Sequence, residues 1–111
     1  MAFVLSDKTT RLVCVRISWT HASRRHGVAR RDARYVVVHC GLVFLQPAPT
    51  GSAVPEDRFV YLGDDPSGRP LEVIGVELET EDGEEHLRVI HVMELRAKYR
   101  SQYEEAKQWR V

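Results

Sequence analysis

Alternation is the first pattern along the chain. In residues 11–19, Val13, Val15, Ile17 and Trp19 fall on one side and Leu12, Cys14, Arg16 and Ser18 on the other, a period of two that predicts a strand. Thr20 has the side chain of a helix N-cap and Gly27 suits a left-handed terminator, so a helix of barely two turns, through Arg25, is expected between them. The period then changes. Ala29, Ala33, Val36, Val37 and Cys40 recur every three or four positions while Arg30, Arg31 and Arg34 gather opposite, which predicts a helix over 30–40 ended by Gly41. The run Tyr35-Val36-Val37-Val38 has β propensity and opposes that reading. Residues 42–46 follow as a short apolar strand or helix extension, and residues 47–55, rich in Pro, Ala, Gly, Ser and Thr, as a loop.

Later in the chain, residues 58–63 alternate Phe59 and Tyr61 against Val60 and Leu62, and Asp64-Asp65-Pro66-Ser67-Gly68 has Pro and Gly placed for a tight turn into a strand over 71–79. Asp82-Gly83 predicts a second hairpin turn, with residues 86–94 pairing back. Residues 96–109 predict a helix, with Leu95, Tyr99, Gln102, Tyr103 and Ala106 along one stripe. The expected architecture is one α+β domain over residues 1–111. It is an antiparallel meander of three to four strands with N-terminal helices, a C-terminal helix and, within residues 1–16, an extra N-terminal strand.

Composition changes this picture little. The 111 residues, 43% hydrophobic and 29% charged, suit one core. A domain this short buries only about two-thirds of its unfolded surface, so a bound partner would add appreciably to its stability. No apolar run approaches the roughly 20 residues that span a bilayer, and the apolar start is shorter than a signal-peptide core of about 7 residues, so a cytoplasmic protein without membrane partners is expected. Cys14 and Cys40 lack metal-type spacing and read as reduced small hydrophobes. His21, His39 and His86 fall into no ligand spacing and there is no phosphate-binding glycine loop, so neither a metal nor another cofactor is expected.

Charge changes it more. The formal net charge is zero, yet residues 1–34 carry eight basic against two acidic side chains, residues 35–95 three against twelve, and residues 96–111 five against two. Basic ends that met in space would offer a surface for a polyanion such as RNA or for an acidic partner segment; otherwise they are solvated helix faces. The acidic run from Glu77 to Glu85 reads as a solvated turn, or as an edge that receives a basic partner segment.

Trp19, then Arg25-His26-Gly27-Val28, Glu56-Asp57-Arg58-Phe59-Val60-Tyr61-Leu62-Gly63, Gly68-Arg69-Pro70-Leu71, Leu87-Arg88-Val89-Ile90 and Tyr103-Glu104-Glu105 succeed one another in the order of landmarks of the BrnT-like toxins. Over residues 17–105 the chain resembles that family, a RelE-related group of bacterial toxin-antitoxin systems. The resemblance implies a small RelE-like domain, a metal-independent ribonuclease that stops growth by cutting RNA. It also implies a cognate antitoxin as partner and contact with operator DNA through that antitoxin. Two positions depart from the family: Ile90-His91-Val92-Met93 stands where it tends to have Ile-Ser-Ala-Arg, and Tyr99 where it has a glutamate.

Cleavage of this type needs a base for the ribose 2′-hydroxyl, an acid for the leaving oxygen and cations around the developing charge. Near the last strand and helix, His91 can exchange protons, Glu94 or Tyr99 can serve as its counterpart, and Arg96 can stabilise charge. Arg88, Lys98 and Arg100, with Arg24, Arg25 and His26 from the N-terminal half, are candidates for holding RNA. Each has a plainer alternative. On strict alternation His91 shares the side of Leu87, Val89, Met93 and Leu95 and would be a hydrogen-bonded core histidine, Glu94 would end a strand, and Tyr99 and Tyr103 would be packing residues. Those alternatives lead to a second function, a toxin-like binding domain without catalysis that acts as a complex subunit or transcriptional co-repressor.

Overall fold

Three apolar side chains in succession, Leu42-Val43-Phe44 and again Val60-Tyr61-Leu62, require a sheet covered on both faces, because a strand sends successive side chains to opposite sides. A computed structural model, which describes residues 16–39, 42–79 and 85–108, shows that arrangement. The strands are β1 (Arg16–Trp19), β2 (Leu42–Gln46), β3 (Arg58–Asp64), β4 (Pro70–Glu79) and β5 (Glu85–Glu94); the helices are α1 (Arg30–His39) and α2 (Arg100–Gln108). Short 3-10 turns at His21–Arg24 and Ala97–Tyr99 precede the two helices. Residues 11–15 of the expected first strand, Cys14, Cys40, Gly41, the Asp82-Gly83 turn and Trp109 lie outside the described residues.

The protein is an α+β fold built on a five-stranded mixed sheet of order β1-β5-β4-β3-β2. β2 to β5 pair antiparallel in chain order, whereas β1 crosses to the far edge and pairs parallel to β5, Ile17 opposite Leu87 and Trp19 opposite Val89. That parallel edge is what the local pattern did not predict: alternation identifies a strand but is silent on the direction of its neighbour. A hydrogen bond of 2.7 Å between His86 Nε2 and the Ser18 hydroxyl adds a side-chain tie across it.

The two helices cover opposite faces. Ala33, Val36 and Val37 of α1 pack with Val43, Tyr61, Leu71, Val73, Leu87, Val89 and Val92. Tyr99 and Tyr103 pack with Leu42, Phe44, Val60, Leu62 and Ile74 on the other side. The β-prone Tyr35-Val36-Val37-Val38 is helical because only the helical period lets Val36 and Val37 join Ala33 in one buried stripe, and that burial exceeds a propensity difference of a few tenths of a kcal/mol.

Register across β4 and β5 slips once. Ile74 lies opposite His91 but Gly75 opposite Val89, so Ile90 is an extra residue, a β-bulge. Leu87 and Val89 therefore face α1, while His91, opposite Ile74, faces the α2 side. The period-two expectation that put His91 beside Leu87 and Val89 is corrected by that one inserted residue. Gly75 marks the slip: a β-carbon there would stand 2.7 Å from the Leu87 Cδ1 and 3.1 Å from the Arg88 carbonyl oxygen. Gly75→Ala is expected to destabilise the fold by about 1–3 kcal/mol, since the added carbon would press on the fully buried Leu87 and on the backbone oxygen of Arg88. Urea denaturation measures this, and an unchanged midpoint would contradict the packing described.

Candidate active site

Glu72 is a carboxylate with no exposed surface in the middle strand of the sheet. It sits on the α2 side, flanked across the ladder by Leu62 and Met93. A buried charge is tolerated only when paired and hydrogen-bonded, and here every donor comes from the chain around the end of β5. The Arg96 backbone N–H donates to Oε1 at 2.8 Å. The Arg96 Nε donates to Oε2 at 2.8 Å, with a second guanidinium nitrogen 2.6 Å from the same oxygen. His91 Nε2 approaches Oε2 at 3.0 Å.

Burial alone would push the Glu72 carboxyl up, but the hydrogen bonds from His91 and from the Arg96 side chain and backbone outweigh it and bring it down to about 2. The hydrogen bond to Glu72 in turn raises the Arg96 guanidinium further above the neutral range. Because Glu72 is ionised, the proton on the neutral His91 ring belongs on Nε2, where it donates to the carboxylate, and Nδ1 carries the lone pair. The His91 side chain keeps 24% of its surface exposed and that of Arg96 36%, so the imidazole and the guanidinium are both partly accessible above a buried anion.

Tyr99 forms the floor. Its ring is buried against Phe44 and lies under the Arg96 guanidinium at 5.7 Å and the Lys98 ammonium at 4.9 Å. Its hydroxyl donates to Gln46 Oε1 at 2.6 Å. Burial first, then the Glu72 charge, raises the phenol, so its proton stays on oxygen at neutral pH. This hydroxyl is committed to Gln46, and what Tyr99 supplies is a platform for two cations. Tyr103, the next residue of the stripe, donates to the Asp64 carboxylate and anchors α2 to the sheet.

His26 reaches the site from the other end of the chain. The Thr20 N–H donates to the Val89 carbonyl at 3.0 Å, which starts the first 3-10 turn alongside β5. Thr20 caps that turn through Ser23, as its side chain predicts. The Gly27 N–H then closes on the Arg24 carbonyl at 3.1 Å, with Gly27 at the expected positive φ of 69°. Arg25 and His26 thus occupy the two corners of a tight turn, and the His26 ring meets His91 edge-on, centroids 5.5 Å apart.

Of the residues singled out from sequence, His91, Arg96, Tyr99, His26 and Lys98 come together. Arg24 and Arg25 are exposed on the same turn as His26. The others lie apart. Glu94 is an exposed partner of Arg69 at 3.6 Å, Arg100 pairs with Glu104 at 3.6 Å, and Arg88 is exposed on β5 opposite Ser18 and Val76. Glu72 and Gln46 were not singled out. A lone acid inside Leu71-Glu72-Val73-Ile74 is the available signal for the first, since a charge within an apolar strand needs a partner; nothing local marks Gln46. A separate hollow of about 500 Å³, lined by Arg31, Asp32, Tyr35, Asp65, Pro66 and Ser67, lies against the β3–β4 turn and shares no residue with this cluster. Among the described residues no group of three His, Cys, Asp or Glu side chains is arranged to hold a metal ion, and no helix is long and apolar enough to cross a membrane.

No protein-family model matches the sequence, and no curated protein matches it.

The Glu72 pairing sets an acid limit on stability. Its folded-state pKa is depressed from 4.5 to about 2, so the stabilisation is complete above the unfolded value and lost as pH falls through that window. The expected loss is about 3 kcal/mol between pH 5 and pH 2, at 1.36 kcal/mol per unit. Glu72→Gln should be destabilised by a similar amount at pH 7 and should lose this contribution to the acid dependence. Chemical denaturation at a series of pH values reads both, and parallel profiles for the two proteins would exclude the pairing.

Proposed function

We propose that this chain is the RNA-cleaving toxin of a toxin-antitoxin pair, a metal-independent ribonuclease of RelE-like type. One observation carries the reading. An imidazole is held at Nε2 by a buried carboxylate, beside a guanidinium bound to that same carboxylate, and its ring stays partly exposed. A carboxylate behind an imidazole fixes its tautomer and stabilises the cation formed when the outer nitrogen takes a proton. Arg96 stands beside it for the charge that develops on a phosphoryl group, and Lys98, Arg24 and Arg25 supply the surrounding positive potential that a polyanionic substrate requires. The order of sequence landmarks supports the same assignment, with an antitoxin covering the site and bringing the pair to operator DNA.

A second reading has its own support. Met93 and Tyr99 stand where the family tends to have an arginine and a glutamate, and the Tyr99 hydroxyl is engaged by Gln46. A domain that keeps the fold and its basic surface without turnover would serve as a binding subunit or co-repressor.

Induced expression in a bacterial host, without any partner, separates the two. The proposed function predicts growth arrest with fragmented RNA within the first hour. His91→Gln, which can keep a donor on Glu72 but has no basic nitrogen, should slow cleavage by about 10²–10⁴-fold. Normal growth and intact RNA from soluble wild-type protein would rule out the nuclease and leave the binding subunit.

A further inference from the structure

A base alone leaves the 5′ oxygen of a cut phosphodiester without a proton. The residue facing His91 has the chemistry to supply one. His26 stands at the corner of a turn closed by the Gly27 N–H and fastened to β5 through Thr20, so its backbone is held while its side chain is exposed. Among the described residues its ring makes no hydrogen bond, and it lies edge-on to His91 with centroids 5.5 Å apart. Two N···O bonds of about 2.8 Å placed across one phosphoryl group join nitrogens up to roughly 7 Å apart, so a single phosphate at the rim of both rings can touch each of them.

We infer that His26 and His91 act as an acid-base pair on one phosphodiester, with His26 protonating the leaving oxygen and RNA ends of 2′,3′-cyclic phosphate and 5′-hydroxyl as products. The inference rests on the ribonuclease reading and goes beyond it by assigning the acid. The division of labour follows from what each ring touches. His91 has Glu72 behind it, so its Nδ1 takes the proton of the 2′-hydroxyl and the imidazolium formed is stabilised by the carboxylate. The 2′ oxygen forms a bond to phosphorus, the bond from phosphorus to the 5′ oxygen breaks, and that oxygen leaves with the proton of the His26 imidazolium. The proton count is unchanged, and exchange with water resets the pair. Arg96, fixed on Glu72, faces the same phosphate with a permanent charge.

The test uses the full chain and an RNA carrying the site that wild-type protein cuts, made in two forms. One has the natural 5′-oxygen linkage; the other has sulfur at that bridging position, which leaves as a thiolate and needs no proton. His26→Gln is expected to slow cleavage of the oxygen linkage by about 10²–10⁴-fold and that of the sulfur linkage by less than about threefold, whereas His91→Gln slows both. The natural RNA should end in a 2′,3′-cyclic phosphate. Equal slowing of both linkages by His26→Gln would make His26 a binding residue and overturn the assignment, as would no slowing of either. In those two cases the nuclease reading stands. Wild-type protein that leaves cellular RNA intact, so that no such site exists, would refute both.

Discussion

Everything around the candidate site depends on a carboxylate that cannot reach water. Glu72 is fully buried, and its desolvation is offset only because the chain leaving β5 bends to bring the Arg96 backbone N–H, the Arg96 guanidinium and the His91 ring onto its two oxygens. The same contacts organise both the fold and the candidate site. They fix the entry into α2, hold the Arg96 guanidinium over Tyr99, and leave the outer nitrogen of His91 as the basic one. Removing Arg96 would strand a charge in the sheet, so the site and the α2 side of the core form one energetic unit.

That unit is distributed over segments far apart in the chain, which explains what could be read in advance. Elements set by local rules were legible. Helical spacing marked α1, Thr20 and Gly27 bracket a shorter 3-10 turn, His21–Arg24, than the two-turn helix expected between them, and the Asp65-Pro66-Ser67-Gly68 cluster closes between β3 and β4 with Asp65 accepting from Ser67 and Arg69. His91, Arg96 and His26 were legible as candidate residues but not as neighbours.

Non-local geometry was hidden. The bulge at Ile90 reverses the side on which His91 projects, and no composition rule announces a bulge. Gln46 has no sequence signature because its role is defined by Tyr99, a residue 53 positions away. The same applies to β1, whose alternation showed a strand but whose parallel place beside β5 is a property of the assembled sheet. Glu94 illustrates the converse error: proximity in sequence to His91 suggested a shared site, and the strand carried it out to Arg69 instead.

The parallel pairing of β1 with β5 also imposes an order in time. β2, β3 and β4 can pair with their sequence neighbours as the chain emerges, but β1 has no edge to join until β5, the last strand, has formed; Ser18 and His86 are separated by 68 positions. The turn bearing His26 is tethered to that same strand, so the two imidazoles meet only where β5 is in place. A nascent chain therefore cannot bring these two rings together until β5 has been translated and can receive β1 along its edge.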